Sequence, residues 1–153
     1  MNKKRLNFTF EEFFHSDIAK KNDINNTTTN PTYLNNWMNL VVYCLQPIRD
    51  KLGKPIIITG AYRCPKLVKI LNSSTTGHPQ GECADIKATD LTQEQLFEFI
   101  IDMFKNGEIE YDQLIWEKDS NCIHIGYKGK NNRKQTMIRD IVKGSYVYKI
   151  IYI

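Results

Sequence analysis

The sequence lacks a long hydrophobic run and a recognisable export signal. A membrane-spanning helix needs about 20 consecutive apolar residues, and no stretch of the chain approaches this length. The N-terminal stretch MNKKRLNFTFEEFF starts basic but has no apolar run behind it, so no secretory signal peptide is predicted. We therefore expect synthesis in the cytoplasm and no membrane insertion. Action outside the cytoplasm would need another route of release.

Histidine is scarce and the cysteines are not paired. The chain has three histidines and four cysteines, and no two cysteines form a C-x-x-C motif. This spacing argues against a zinc site built from thiolates alone. Without a signal peptide, free thiols are the expected state of all four cysteines.

The composition is that of an ordinary globular protein. Hydrophobic residues make up 41% and charged residues 25% of the 153 residues, which predicts one domain over residues 1–153, expected as a monomer. The net charge of +4 favours an anionic partner, such as a bacterial envelope polymer or a nucleic acid, without selecting one. The basic stretch KGKNNRK has no interleaved aromatic residues. It is better explained as an exposed hairpin turn, and no nucleic-acid partner is expected.

Hydrophobic periodicity and capping signals predict the helices. A capping box at residues 9–12 predicts a short N-terminal helix. Apolar residues at helical spacing predict a long core helix over residues 31–52, which Gly53 ends. Thr92 and Gln95 form a second capping box, which opens an amphipathic helix that ends at Gly107.

Alternating and β-branched runs predict the strands, and the order of elements predicts the fold class. The predicted strands are PIIITGAYR, ECADIKA, YDQLIWE, CIHIGY, QTMIRDI and SYVYKIIYI. Helices come first and a run of antiparallel-type strands comes last, an order typical of the α+β class.

Three residues could form a metal site. A catalytic zinc needs three protein ligands and one open position. Asp85 and His124 lie in two predicted strands, and His78 lies in a loop that Gly81 allows to turn back. The spacing H-x6-D is loose, however. On spacing alone, the favoured explanation is a hydrogen-bonded histidine, in the core or at the surface, and a carboxylate paired with a lysine.

A family resemblance favours the metal. The stretch HPQGECAD, followed downstream by IHI, resembles the zinc D-Ala-D-Ala peptidase family, peptidase family M15, whose signature is S-x-H-x-x-G-x-A-x-D. His78, Gly81 and Asp85 match this signature. Thr76 stands at the serine position, and Cys83 replaces the small alanine.

The resemblance covers most of the chain, from about Phe8 to Met137. The segment NFTFEEFFHSDIA is similar to the N-terminal segment of the phage-type branch of the family. LQPIRDKLGKPIIITGAYRCP resembles the family's helix, strand and arginine passage, and YDQLIWE resembles the strand before the second histidine. The fold implied is Hedgehog/DD-peptidase-like, with a central, mostly antiparallel sheet and helices packed on it.

The resemblance also implies a site. It implies one zinc per chain, held by His78, Asp85 and His124. Arg63 would position the substrate or stabilise a developing oxyanion, and its guanidinium can hold a carboxylate through two hydrogen bonds. Thr76 would contact the substrate or support the metal ligands.

The sequence departs from the family pattern at the position of the general base, the residue that takes a proton from the zinc-bound water. Many members carry E-x-x-H before the second histidine, but the glutamate position is Asn121 here. If KDSN forms a turn, Glu117 pairs with Cys122 and lies diagonal to His124, about 7–8 Å away and within reach of a long side chain. Glu117 is therefore the predicted base, with Asp119 as the second choice. The alternative is that Glu117 only caps a hairpin.

The strand register also predicts the roles of two cysteines. If Asp85 faces His124 in an antiparallel pair, Cys83 lies opposite Gly126. Cys122 is then too distant from Cys83 for a disulfide, and both are predicted to be small packing residues.

Together, the residues and the resemblance predict a zinc metallopeptidase of the carboxypeptidase or endopeptidase type, acting on peptidoglycan stem peptides. The resemblance implies a phage or prophage lytic enzyme that reaches the cell wall after release. The alternative is a metal-containing module without activity, which binds the wall or forms part of a phage particle.

Overall fold

The computed structural model describes residues 5–153 and has a mixed α+β fold with a six-stranded sheet. Residues 1–4, part of the segment in which no signal peptide is predicted, lie outside the described residues. Over residues 5–153, none of the helices has the length and apolar character needed to cross a membrane.

The predicted helices and strands are confirmed. The helices are α1 Phe10–Phe14, α2 Asp17–Lys21, α3 Pro31–Leu40, α4 Gln46–Leu52, α5 Pro65–Ile70 and α6 Gln93–Lys105. The strands are β1 Ile56–Gly60, β2 Cys83–Ala88, β3 Gln113–Glu117, β4 Cys122–Gly126, β5 Gln135–Val142 and β6 Ser145–Ile151. Both predicted capping boxes form, at the start of α1 and at the start of α6.

The long core helix contains one wide turn. A π-helical turn, Val41–Leu45, joins α3 to α4, and the amide of Gln46 donates to the carbonyl of Val41. Pro47 follows directly. Proline has no N–H, and its ring clashes with the carbonyl four residues earlier in a regular helix. The wider turn lets the helix continue past the proline to Gly53, whose left-handed φ of 67° ends it.

The sheet is mostly antiparallel, as predicted, with one exception. Its strand order is β1-β2-β4-β3-β5-β6. All neighbouring pairs are antiparallel except β3 and β5, which run parallel. The sequence analysis expected only antiparallel-type strands at the end of the chain. A short 3₁₀ turn, Gly129–Asn131, lies in the connection that leads from β4 to the far side of β3, where β5 pairs.

The two faces of the sheet have different roles. Helix α6 packs against β2, β3 and β4, and the residues facing it belong to the hydrophobic core, including Ala84, Ile86, Leu114, Ile123 and Ile125. The alternate residues of the same strands face a cleft of about 940 Å³. Because successive side chains of a strand point to opposite faces, the core and the candidate site lie on opposite faces of the sheet.

Candidate metal centre

His78 is buried and held in one orientation by the backbone of a neighbouring segment. It begins a short 3₁₀ turn, His78–Gln80, and its Nδ1 lies 2.6 Å from the carbonyl oxygen of Ala61. A carbonyl only accepts, so Nδ1 carries the proton and donates it. The other ring nitrogen, Nε2, is the one that points into the cluster and is available to a metal.

Gly81 closes the turn that carries His78. Its φ is 73°, in the left-handed region that favours glycine. A Cβ at this position would lie 2.5 Å from the backbone oxygen of Tyr33, closer than van der Waals contact allows. The sequence argument for a sharp turn here is thus supported by both the backbone angle and the packing.

Asp85 and His124 meet across two neighbouring strands. Asp85 pairs with His124 in the β2–β4 register, and Cys83 pairs with Gly126, as the sequence register predicted. The Oδ1 atom of Asp85 lies 3.0 Å from Nδ1 of His124 and 3.4 Å from Nε2 of His78. One carboxylate oxygen is therefore close to one nitrogen of each histidine.

These distances fit a zinc ion. In tetrahedral coordination with bonds of about 2.0–2.1 Å to nitrogen and oxygen, neighbouring donor atoms are about 3.3–3.4 Å apart. The two distances from Asp85 Oδ1, 3.0 and 3.4 Å, are near this value. Nitrogen and carboxylate donors also suit zinc chemically. On these two distances, His78, Asp85 and His124 are candidate ligands of one zinc.

Arg63 contacts the predicted ligand set directly. Its Nη2 donates to Oδ2 of Asp85 at 3.0 Å, and Nη1 lies 3.5 Å from Oγ of Ser73. The two oxygens of Asp85 thus serve different partners, because Oδ1 faces the histidines and Oδ2 faces Arg63. The guanidinium also lines the cleft. Arg63 is therefore placed to fix the orientation of Asp85.

Glu117 lies beside the predicted ligands at the end of β3. It pairs with Cys122 in the β3–β4 register, as predicted. One of its carboxylate oxygens lies within 4.8 Å of a carboxylate oxygen of Asp85. Oε1 accepts from Nη1 of Arg139 at 2.8 Å, and Oε2 accepts from Oγ of Ser120 at 2.9 Å. The side chain is buried and held in place, but off the ligand set itself.

The second-choice base, Asp119, is engaged elsewhere. Both of its carboxylate oxygens accept from Arg139, at 2.8 and 2.7 Å. Asn121, at the position of the usual family glutamate, is exposed and has a left-handed φ of 52° in the β3–β4 turn. Of these three residues, Glu117 is the one placed against Asp85.

Arg139 is a site residue that the sequence analysis did not identify. It lies on β5 and pairs with Glu117 only because β5 runs parallel to β3. Burial opposes its charge, but the carboxylates of Asp119 and Glu117 more than offset this and raise the pKa of the guanidinium. No signal in the sequence shows which strand β5 joins, so its place beside Glu117 could not be foreseen.

Cys83, predicted to be a small packing residue, lies beside two of the predicted ligands. All four cysteines are free thiols. The Sγ atom of Cys83 and one ring nitrogen each of His78 and His124 lie within 4.8 Å of one another. The signal for this was in the sequence, because residues 83 and 85 share one face of a strand.

Thr76 lies at the margin of this cluster. It is exposed and lines the cleft with the loop that precedes His78. Its predicted role toward substrate or ligands stays a prediction.

The histidines and the acidic groups of the cluster shift one another's pKa values toward the charged forms. Burial lowers the pKa of His78, but Cys83 and Asp85 more than offset this and raise the pKa to about 9. The pKa of His124 is raised as well, against burial, by the same two neighbours. Burial raises the pKa of the Cys83 thiol, yet the two histidines lower it to about 7. They also outweigh burial at Asp85, whose carboxyl pKa lies well below its usual range.

Acidic groups that lie beside two histidines in a buried cluster favour the binding of a divalent cation. His78 and His124 would hold zinc in their deprotonated form, so a bound ion would replace protons on these rings beside the acidic groups. Two buried histidines and a buried carboxylate, with a further carboxylate beside them, form the donor arrangement of a metal-dependent hydrolase.

The comparison with family models agrees with this class. A model described as Peptidase M15 matches residues 7–125. The chain therefore belongs to the peptidase M15 family, whose members are zinc-dependent peptidases. The match ends at the penultimate residue of β4, so β5 and β6 lie beyond it. A search of curated proteins found no match.

Proposed function

We propose that the protein is a zinc metallopeptidase that cleaves peptide bonds in peptidoglycan stem peptides, as a carboxypeptidase or an endopeptidase. The observation that carries the proposal is the convergence of His78 Nε2 and His124 Nδ1 on one oxygen of Asp85, at 3.4 and 3.0 Å. The family membership supports it, because peptidase M15 members are zinc-dependent peptidases and the match spans all three residues.

Each residue has a role that follows from its position. His78, Asp85 and His124 would hold the zinc, which when bound lowers the pKa of a coordinated water and polarises the scissile carbonyl. Glu117, held by Arg139 and Ser120, would accept a proton from the attacking water and deliver it to the leaving amine.

Arg63 would act on both the metal ligand and the substrate. It fixes the orientation of Asp85 through Oδ2. Arg63 also lines the cleft, where its other N–H groups would donate to a developing oxyanion or to a substrate carboxylate.

The residues that line the cleft support a peptide as substrate. The floor of the cleft is the open face of the sheet, from Cys83 on β2 to Tyr148 on β6. Both acidic and basic side chains line it, including Arg63, Glu82 and Lys128, which suits a peptide that carries charges of both signs. The resemblance to the phage-type branch supports a lytic role at the cell wall.

Mass spectrometry of cell-wall fragments tests the proposal. Purified peptidoglycan is incubated with the zinc-loaded protein, and the released muropeptides are compared with those from His124→Ala. The expected result is cleavage of the stem peptide by the wild-type protein only. Intact muropeptides with a zinc-loaded wild-type protein would overturn the proposal.

A second candidate is a metal-containing module that binds the wall without cleaving it. The observation that favours it is the engagement of both Glu117 oxygens, one with Arg139 and one with Ser120. Co-sedimentation with insoluble peptidoglycan, without release of fragments, would support this candidate.

A further inference from the structure

The thiol of Cys83 lies inside the proposed zinc site. Its Sγ atom and the ring nitrogens of His78 and His124 lie within 4.8 Å of one another. Zinc bonds of about 2.3 Å to sulfur and 2.0–2.1 Å to nitrogen place such donors about 3.5 Å apart, so the side chains would have to move closer than the 4.8 Å limit to share one ion. Cys83 is 2% exposed, so the thiol is shielded from solvent.

The local backbone makes room for the thiol at this position. Cys83 and Asp85 share one face of β2, because side chains alternate along a strand. Two glycines, Gly77 and Gly126, lie next to the cysteine in space. A Cβ at Gly77 would lie 2.8 Å from Cys83 Sγ, and a Cβ at Gly126 would lie 3.5 Å from Cys83 Cβ. The sulfur therefore lies against the bare backbone of the residue that precedes His78.

We propose that Cys83 is a fourth zinc ligand, which closes the metal site in the resting protein. The inference rests on the proposed function, because it takes zinc to be held by His78, Asp85 and His124. Catalytic zinc sites have three protein ligands and an open position, whereas sites with four protein ligands are closed. Thiolate is a preferred zinc donor.

The consequence is regulation at the metal itself. With the thiolate bound, the position that an attacking water needs is filled by Cys83. Turnover then requires the sulfur to leave the metal. Alanine, which the family signature has at this position, would leave the site permanently open.

X-ray absorption spectroscopy of the zinc-loaded protein tests the coordination without measuring activity. The wild-type protein should show one sulfur neighbour at about 2.3 Å, beside nitrogen and oxygen neighbours at about 2.0–2.1 Å. The sulfur neighbour should be lost in Cys83→Ala and retained in the control Cys44→Ser. Cys44 is buried elsewhere, where its thiol donates to the carbonyl of Glu110, and serine keeps a donor there.

A second readout is turnover at equal zinc occupancy. If the thiolate closes the site, Cys83→Ala should cleave peptidoglycan faster than the wild-type protein, while Cys44→Ser should not. An unchanged or lower turnover in Cys83→Ala would overturn the regulatory part of the proposal.

The outcomes separate this inference from the proposed function. A zinc-loaded wild-type protein with only nitrogen and oxygen neighbours would overturn the inference, whatever its activity. A sulfur neighbour that persists in Cys83→Ala would assign the ligand to Cys122 and also overturn it. A sulfur neighbour that depends on Cys83, in a protein that never cleaves peptidoglycan, would leave the inference standing and overturn the proposed function. A protein that binds no zinc would overturn both.

Discussion

Glu117 and Asp119 are two carboxylates on one short turn, yet their surroundings differ. Glu117 ends β3, so its backbone is fixed by pairing with Cys122, and its carboxylate approaches that of Asp85. Asp119 lies in the turn, where Arg139 binds both of its oxygens. Proximity to the predicted ligands distinguishes Glu117 as the candidate base.

The first prediction concerns this pair. Glu117→Gln should lower the turnover of peptidoglycan peptides by about 10²–10⁴-fold, the usual contribution of a general base, with zinc content unchanged. Asp119→Asn should lower it much less. Steady-state rates and zinc analysis of both variants check this. A larger loss in Asp119→Asn would reverse the assignment, and full activity in both variants would remove the mechanism.

The second prediction separates two roles of Arg63. Because its Nη2 holds Oδ2 of Asp85, Arg63→Ala should weaken zinc binding by about 10–100-fold, as is typical for loss of a ligand's hydrogen-bond partner. Competition with a chromogenic chelator measures this, with Arg49→Ala on α4 as the control. Unchanged zinc affinity with a raised KM would show that Arg63 acts on the substrate alone.

At the scale of elements, the turn after His78 determines where this ligand lies. The turn combines the left-handed φ of Gly81 with close packing against the backbone of Tyr33. Phe13 of α1 also lies close, since a Cβ at Gly81 would be 3.0 Å from its ring. The N-terminal helices thus support the loop that carries the ligand.

The third prediction tests this packing. Gly81→Ala should destabilise the fold by more than the roughly 1–2 kcal/mol that a left-handed backbone costs a residue with a Cβ, because the new Cβ also clashes with Tyr33. Gly107→Ala is the matched control, since Gly107 has a φ of 70° and nothing within 4 Å of a Cβ. Denaturant unfolding compares the two. Equal losses would show that the clash is relieved without cost.

The strands show what a sequence can and cannot predict. Alternation grouped Cys83 with Asp85 and Cys122 with His124, and both registers were derived on the condition that the strands pair. The structure shows the pairings of Asp85 with His124 and of Glu117 with Cys122. Alternation does not say which strand is the neighbour of another. The parallel pairing of β5 with β3 depends on tertiary packing, and with it the position of Arg139 was missed.

At the scale of the whole molecule, the hydrophobic core and the candidate site lie on opposite faces of one sheet. One face packs on α6 and carries the core, and the other carries the candidate site. The strands that supply this site are neighbours in the order β2-β4-β3-β5. Asp85, His124, Glu117 and Arg139 therefore occupy consecutive strands, although they are far apart in the sequence.

The fourth prediction follows from this arrangement. The predicted ligands come from a loop, from β2 and from β4, so a bound zinc joins three segments that an unfolded chain does not hold together. Free zinc at 100 times its dissociation constant should stabilise the fold by about 2.7 kcal/mol, seen as a higher unfolding midpoint than in chelator. The shift should shrink as the pH falls, because protons compete with zinc for His78, whose pKa is about 9.

His124→Ala should show no zinc-dependent shift. Equal midpoints with zinc and with chelator in the wild-type protein would mean that these segments do not share a metal.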